Sequence, residues 1–488
     1  MKNIFAKWAS RVIIEIVIVL FLLNGIAIAL PSEEWNRTYG GKSDDSVYSV
    51  SQTHDGGYII VGQYNNFVKK GKIKKTFSIN DYYDGWIINV DAKGNPQWNK
   101  KLGKQMMIDW FTSLQETDDG GYILSGVSNS NDKGEDIDAW VVKTDINGIQ
   151  KVSKTFGGKN DDKANSILKT SDGGYIIIGG NSLQKNVYDG TNNYDAWIFK
   201  IDNNLNEQWS NTFGGNDEAK AVQETSDGGY LLTGTTLKTE DRGTDAYLIK
   251  VDAKGNLQWK QTFGGKYDDS SSSLLKTTDG GFIFAGNTHS KPTGKSDADA
   301  WLVKVDASGM ELWSKTYGGQ KDDVVTSIQN TTDGGFVLAG YTESLGNLDA
   351  LLIKTDSNGD KVWSKTFGGD NNDLVFSVQQ TSSGAFILAG QTSSYGNGSA
   401  DAWLIKVFDD TIPSTIKLNS TTQTIPTATI PATTATTTPI ETTNQIQTEK
   451  SMPTSPAATK QETRNIPGFK AIITIIVLVL IYCRGRIK

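Results

Sequence analysis

"WSKTFGGDNNDLVFSVQQTSSGAFILAG", residues 363–390, holds in one run the pieces that the chain keeps repeating: a tryptophan segment ending in T-aromatic-G-G, an aspartate, a turn, and an apolar run. Aligned on the residue before each glycine-bearing turn, the copies fall at Asp55, Asp119, Asp172, Asp227, Asp279, Asp333 and Ser383. A "DAW"-like triplet follows in each copy, starting at Asp84, Asp138, Asp195, Asp245, Asp299, Asp349 and Asp401. Beyond the first six of these come Trp98, Val152, Trp209, Trp259, Trp313 and Trp363 at a constant offset. A fixed period of this length is the mark of a repeat architecture, so it is weighed before any single motif.

Each copy predicts four short strands. The segment before T-x-D-G-G is the first, and Asp-Gly supplies the positive backbone angle of a tight hairpin. The apolar run after it has the length of a buried strand, "DAWLIKxD" alternates and closes on a D-x-x-G turn, and the tryptophan segment is the fourth. Four antiparallel strands repeated seven times predict an all-β fold, a single seven-bladed β-propeller over residues 30–408. The last copy lacks a fourth strand, but an orphan one, "EEWNRTYGG" with Trp35, stands ahead of the first copy. Pairing the two would close the ring and hide its edges.

Composition agrees with a large β domain. Of 488 residues 37% are hydrophobic and 21% charged, with 51 Gly, 17 Tyr and 17 Phe favouring strands and turns. A net charge of -7 argues against a nucleic-acid partner. The one cysteine, Cys483, excludes an intramolecular disulfide and any thiolate metal cluster.

Both ends carry apolar segments with basic flanks. Residues 1–29 read as a signal peptide, with Lys2, Lys7 and Arg11 ahead of an apolar run and Ala27-Ile28-Ala29 as the cleavage triplet; an uncleaved N-terminal anchor is the alternative. The repeats are expected to be exported. Residues 409–465 are rich in Thr and Pro without an apolar face, and predict a disordered, glycan-bearing stalk, with Asn419-Ser420-Thr421 as one acceptor triplet. Residues 466–488 form an apolar run ending in Arg484, Arg486 and Lys488, which reads as a transmembrane segment with its positive end inside.

Stalk, Pro467-Gly468-Phe469, apolar helix and basic end together resemble the PGF-CTERM sorting signal of archaeal surface proteins. The resemblance implies an archaeosortase-like processing enzyme as a partner, removal of the helix, and attachment of a cell-surface glycoprotein to the membrane through a lipid. A plain C-terminal membrane anchor is the alternative. Lys470 directly after the tripeptide departs from the pattern.

"KVDAKGNLQW" (250–259) and "KTDSNGDKVW" (354–363) resemble the tryptophan-docking motif of quinoprotein-like propellers. The resemblance implies that Trp35, Trp98, Trp209, Trp259, Trp313 and Trp363 wedge between neighbouring blades. Val152 departs and is expected to pack less area. Enzymes of that family have eight blades and bind pyrroloquinoline quinone with calcium, whereas seven copies are present here and no acid-plus-amide set maps onto that site.

Loops between second and third strands vary, from "YTESLGNL" (341–348) to the lysine-rich 65–83, while the turns on the opposite face are monotonous. Variation on one face marks the expected binding side. On that face every copy carries an aspartate: Asp45, Asp109, Asp162, Asp217, Asp269, Asp323 and Asp373. If these point into the channel they form an oxygen-only ring suited to calcium; the competing reading is that they bind local backbone N–H groups. The two histidines, His54 and His289, assemble no catalytic triad or metal motif. The expectation is a non-catalytic, surface-anchored module contacting an envelope glycan or surface protein. The alternative is an exported enzyme, quinone-dependent or carbohydrate-active.

Overall fold

The computed structural model describes residues 31–66, 82–104, 107–129, 136–185, 192–238, 243–290, 297–343 and 346–409. The expected leader, the expected stalk beyond residue 409, the tripeptide Pro467-Gly468-Phe469 with the expected transmembrane segment, and residues 67–81 of the lysine-rich loop lie outside them. Among the described residues, seven four-stranded antiparallel sheets follow one another along the chain. Six are contiguous, spanning 46–102, 109–156, 162–213, 217–263, 269–317 and 323–367, and are called blades one to six. Blade seven joins the last three strands to strand Ser32–Tyr39. That strand pairs with Asp401–Phe408, with Ser32 opposite Phe408 and Tyr39 opposite Ala402. The described residues form a closed seven-bladed β-propeller.

Within a blade the second and third strands are almost wholly buried, because both of their faces meet a neighbouring blade. The fourth strand is the most exposed of each blade, and lysines such as Lys154, Lys315 and Lys365 on this outer edge discourage edge-to-edge pairing. The core therefore lies in the seams. One cluster joins Ile387, Ala389 and Leu404 of blade seven to Val47, Ile60 and Trp86 of blade one.

Every first strand is broken by a bulge, which sequence alternation does not reveal. In blade one the register jumps between Val47 and Ser49, leaving Tyr48 as the extra residue. The same jump leaves Thr112, Asn165, Lys220, Ser272, Thr326 and Phe376. The partner position on the second strand is always glycine, Gly62 in blade one and Gly390 in blade seven. A Cβ there would lie 2.0 or 1.9 Å from the carbonyl oxygen of Ser46 or Leu374. The glycine of "GGYIIxG" thus makes room for the bulge, and the bulge re-aims one side chain per blade at the channel mouth.

Candidate functional site

The docking tryptophans sit on the next blade's third-to-fourth-strand turn. A Cβ on Gly94, Gly148, Gly255, Gly309 or Gly359 would come within 3.0 Å of the ring of Trp35, Trp98, Trp209, Trp259 or Trp313, respectively. Trp363, 3% exposed, packs in the seam with blade seven beside Phe386. At Val152 the seam is filled from the other side. The turn position that is glycine elsewhere is Leu205, fully buried at a positive φ of 64°, while Val152 itself is 37% exposed.

The seven first-strand aspartates are buried in the seams at the loop face. Each is set beside the aspartate that begins the third strand of the preceding blade, as Asp45 is to Asp401 and Asp269 to Asp245. Asp45 accepts the backbone N–H of Gly41 at 2.6 Å and of Asn65 at 2.8 Å. The N–H groups of Gly158, Gly265, Gly319 and Gly369 meet Asp162, Asp269, Asp323 and Asp373 in the same way. Lys104 N–H donates to Asp109. Asp217 instead takes the ammonium of Lys260.

Between the paired carboxylates runs the first glycine of T-aromatic-G-G. A Cβ on Gly264 would lie 2.2 Å from Asp245 Oδ1 and 2.6 Å from Asp269 Oδ2. Burial first, and then the neighbouring charge, push the Asp45 carboxyl up to about 6 against its N–H donors, and Asp138 likewise to about 6. The acids are thus gathered two by two rather than as one ring. Among the described residues no group of three or more His, Cys, Asp or Glu side chains is arranged to hold a metal ion.

The channel, about 420 Å³, is lined by the first strands of all seven blades. Its middle is a belt of Ser49, Ser113, Ser166, Ser273, Ser327 and Ser377, with Ala221 in blade four. Several of these hydroxyls are consumed in holding the ring together, since Ser113, Ser273, Ser327 and Ser377 accept the N–H of Ile167, Ile328, Val378 and Val50 in the following blade.

Above the belt, toward the loop face, the sevenfold pattern breaks. Four bulge residues clasp the next blade through its backbone: Thr112 donates to Ala164 O, Asn165 to Ala219 O, Ser272 to Val325 O and Thr326 to Val375 O. The other three do something else. Tyr48 and Phe376 lie half-buried against each other, ring centres 5.3 Å apart. Lys220 turns to Glu218 at 2.8 Å, and Glu218 also accepts from Asn165 at 2.9 Å. Lys163, at the position in blade three that Glu218 holds in blade four, places its ammonium 4.2 Å from the ring centre of Tyr194. The same position is Trp110 in blade two, Val324 in blade six and Leu374 in blade seven.

The mouth thus has an aromatic and apolar arc over blades six, seven, one and two, and a charged arc over blades three and four. Burial works to raise the Glu218 carboxyl, but the Lys220 ammonium, the hydrogen bonds from Lys220 and Asn165 and the charge of Lys163 hold it below the usual range. It is a fixed anion in an otherwise basic cluster. Sequence reading singled out the repeated aspartates and passed over these residues. The signal that finds Tyr48, Lys220 and Phe376 is the column three places after each aspartate, where Thr, Asn and Ser give way to Tyr, Lys and Phe; Lys163 and Glu218 stand one place after their own aspartates.

No family model matches the chain, and no curated protein matches it. Solved structures do. The WD40 domain of Neurospora crassa Pan2 aligns with 78% of this chain and 95% of its own at 9% identity and a TM-score of 0.45. Streptogramin B lyase aligns with 77% of this chain and 98% of its own at 10% identity and a TM-score of 0.44. Sqt1 of Chaetomium thermophilum aligns with 78% of this chain and 98% of its own at 13% identity and a TM-score of 0.43.

Proposed function

We propose that the protein is an exported, surface-held binding propeller that seats an envelope glycan on the loop-face mouth of its channel. The observation that carries this reading is the broken symmetry of the bulge column. Four copies spend that side chain on the next blade, and three turn it toward Phe376–Tyr48 and Lys220–Glu218. A pyranose presents an apolar face and a rim of hydroxyls, which suits an aromatic arc facing an amide and charged groups. With Lys163 and Lys220 around one glutamate, a sugar bearing a carboxylate is favoured over a neutral one.

Orientation supports the same reading. The described chain begins and ends at the face opposite this mouth, since Ser32 and Phe408 are paired. A tether of the PGF-CTERM kind would leave the ring from the face opposite the mouth and so would not cover it.

A binding screen of uronic-acid-containing against neutral envelope glycans tests the reading, with the full chain and its Tyr48→Ala and Lys220→Ala variants. Saturable binding to the acidic glycans, weakened about tenfold by either variant, is the expected outcome. Binding that ignores both substitutions overturns it.

A further inference from the structure

On the turn face, four consecutive blades repeat one ion pair. A third-strand lysine, cross-strand neighbour of the fourth-strand tryptophan, reaches the aspartate of its own blade's first hairpin. Lys200 meets Asp172, Lys250 meets Asp227 at 3.0 Å, Lys304 meets Asp279 at 2.5 Å and Lys354 meets Asp333 at 2.9 Å. These lysine side chains are only 2 to 15% exposed, so each ammonium is seated in a socket rather than waving in water. Blade seven has lost the acid, carrying Ser383 there, and its Lys406 turns away to Glu34 at 3.1 Å.

Blade one is the converse. The acid, Asp55, remains, but the lysine position is Asn89, paired as elsewhere with the docking tryptophan, Trp98. Asparagine is too short to reach across, and what remains is a cleft of about 670 Å³ whose walls include Asp55, Trp98, Glu116, Tyr122 and Ile146. Of the cations lining it, Lys169 is bound to Asp118 and His54 sits 2.8 Å from Glu116. Asp55 has no cationic partner among the described residues. Tyr122 occupies the place that Tyr230 holds beside Lys200, where the ammonium lies 5.9 Å from the ring centre.

Blades three to six define what this space is shaped for; in blade two Lys143 reaches Asn203 at 2.6 Å instead of Asp119. We propose that the blade-one cleft is a receptor for an alkylammonium group supplied from outside the chain, with its charge on Asp55 and its methylenes along Trp98. The group comes from a lysine side chain of a protein partner or from a free amine. The site is on the face opposite the channel mouth and stands whether or not a glycan binds there. Burial first, and then the charges of Glu116 and Asp55, push the Tyr122 phenol up to about 12, and it is these two carboxylates that make the cleft acidic.

The test titrates n-butylammonium, a lysine side chain without its backbone, into the full chain and follows it by saturation-transfer NMR, with n-butanol as the uncharged control. Expected are saturable binding of the amine alone and a loss of about tenfold or more in Asp55→Asn. Asn89→Lys should abolish binding and raise the melting temperature by filling the cleft as blades three to six are filled. A blocked Gly-Lys-Gly peptide binding more tightly than butylammonium assigns the partner as a protein, and cadaverine binding more tightly than the peptide assigns a free amine. Absence of saturable binding, equal binding of butanol, or binding unchanged in both variants overturns the proposal.

Discussion

At the scale of single residues, the paired aspartates oppose the common loss of stability in acid. Asp45 and Asp138 sit near 6 in the folded chain, and Asp109, Asp162 and Asp349 are also raised, all chiefly by burial. A folded pKa above the unfolded one means that the folded state holds the proton more tightly, so stability rises as pH falls from about 7 toward 4. Asp172, Asp227 and Asp279, held at about 2 chiefly by hydrogen bonds from Lys200, Thr225 and Lys304, act oppositely and lose their contribution below about pH 4. The melting temperature should therefore peak between about pH 4 and 5, and Asp45→Asn should flatten the rise from neutral pH. A scan of melting temperature against pH checks this; a monotonic fall from pH 7 to 4 counts against it. Replacing Gly264, at φ 151° and clamped between Asp245 and Asp269, with Ala should cost about 2–4 kcal/mol by urea unfolding. The pairing itself was hidden in the sequence. Each aspartate column was visible, but that the first-strand and third-strand columns of neighbouring blades face each other is a fact about the seam.

At the scale of elements, turns and apolar runs were legible because each carries its own chemistry, Asp-Gly for the hairpin and an unbroken Tyr-Ile-Ile run for a strand buried on both faces. The bulge was not, because a one-residue slip is defined only against its partner strand. The Val152 seam shows the same limit. The missing tryptophan was evident, while the compensating Leu205 becomes meaningful only when the two turn up in one seam. They should couple in a double-mutant cycle. Val152→Trp alone drives a ring into Leu205, and Leu205→Gly alone removes a fully buried side chain, so each should destabilise. The double variant should recover about 1–3 kcal/mol relative to their sum. Additive effects in urea unfolding would separate Val152 from Leu205.

For the whole molecule, ring closure followed from counting strands: the last copy was one short and the chain's first repeat-like segment was one over. That accounting does not need side-chain geometry, which is why the architecture emerged from sequence while the channel mouth and the turn-face cleft did not. Removing residues 31–39 should bare the edge of Asp401–Phe408, including the backbone beside Trp403 and Ile405, and produce oligomers by light scattering. A truncated chain that stays monomeric with an unchanged melting temperature would show that closure contributes little.

The juxtaposition of Ser32 and Phe408 also sets how the ring bears mechanical load. Pulled by both ends at once, the two outermost ribbons part like a zipper, one hydrogen-bonded rung after another, the weakest direction in which such a pair can be strained. A pull on the carboxyl end alone enters through Asp401–Phe408, which is held on both sides, by Ser32–Tyr39 and by Phe386–Thr392, so the load is shared between two rows of rungs instead of opening one.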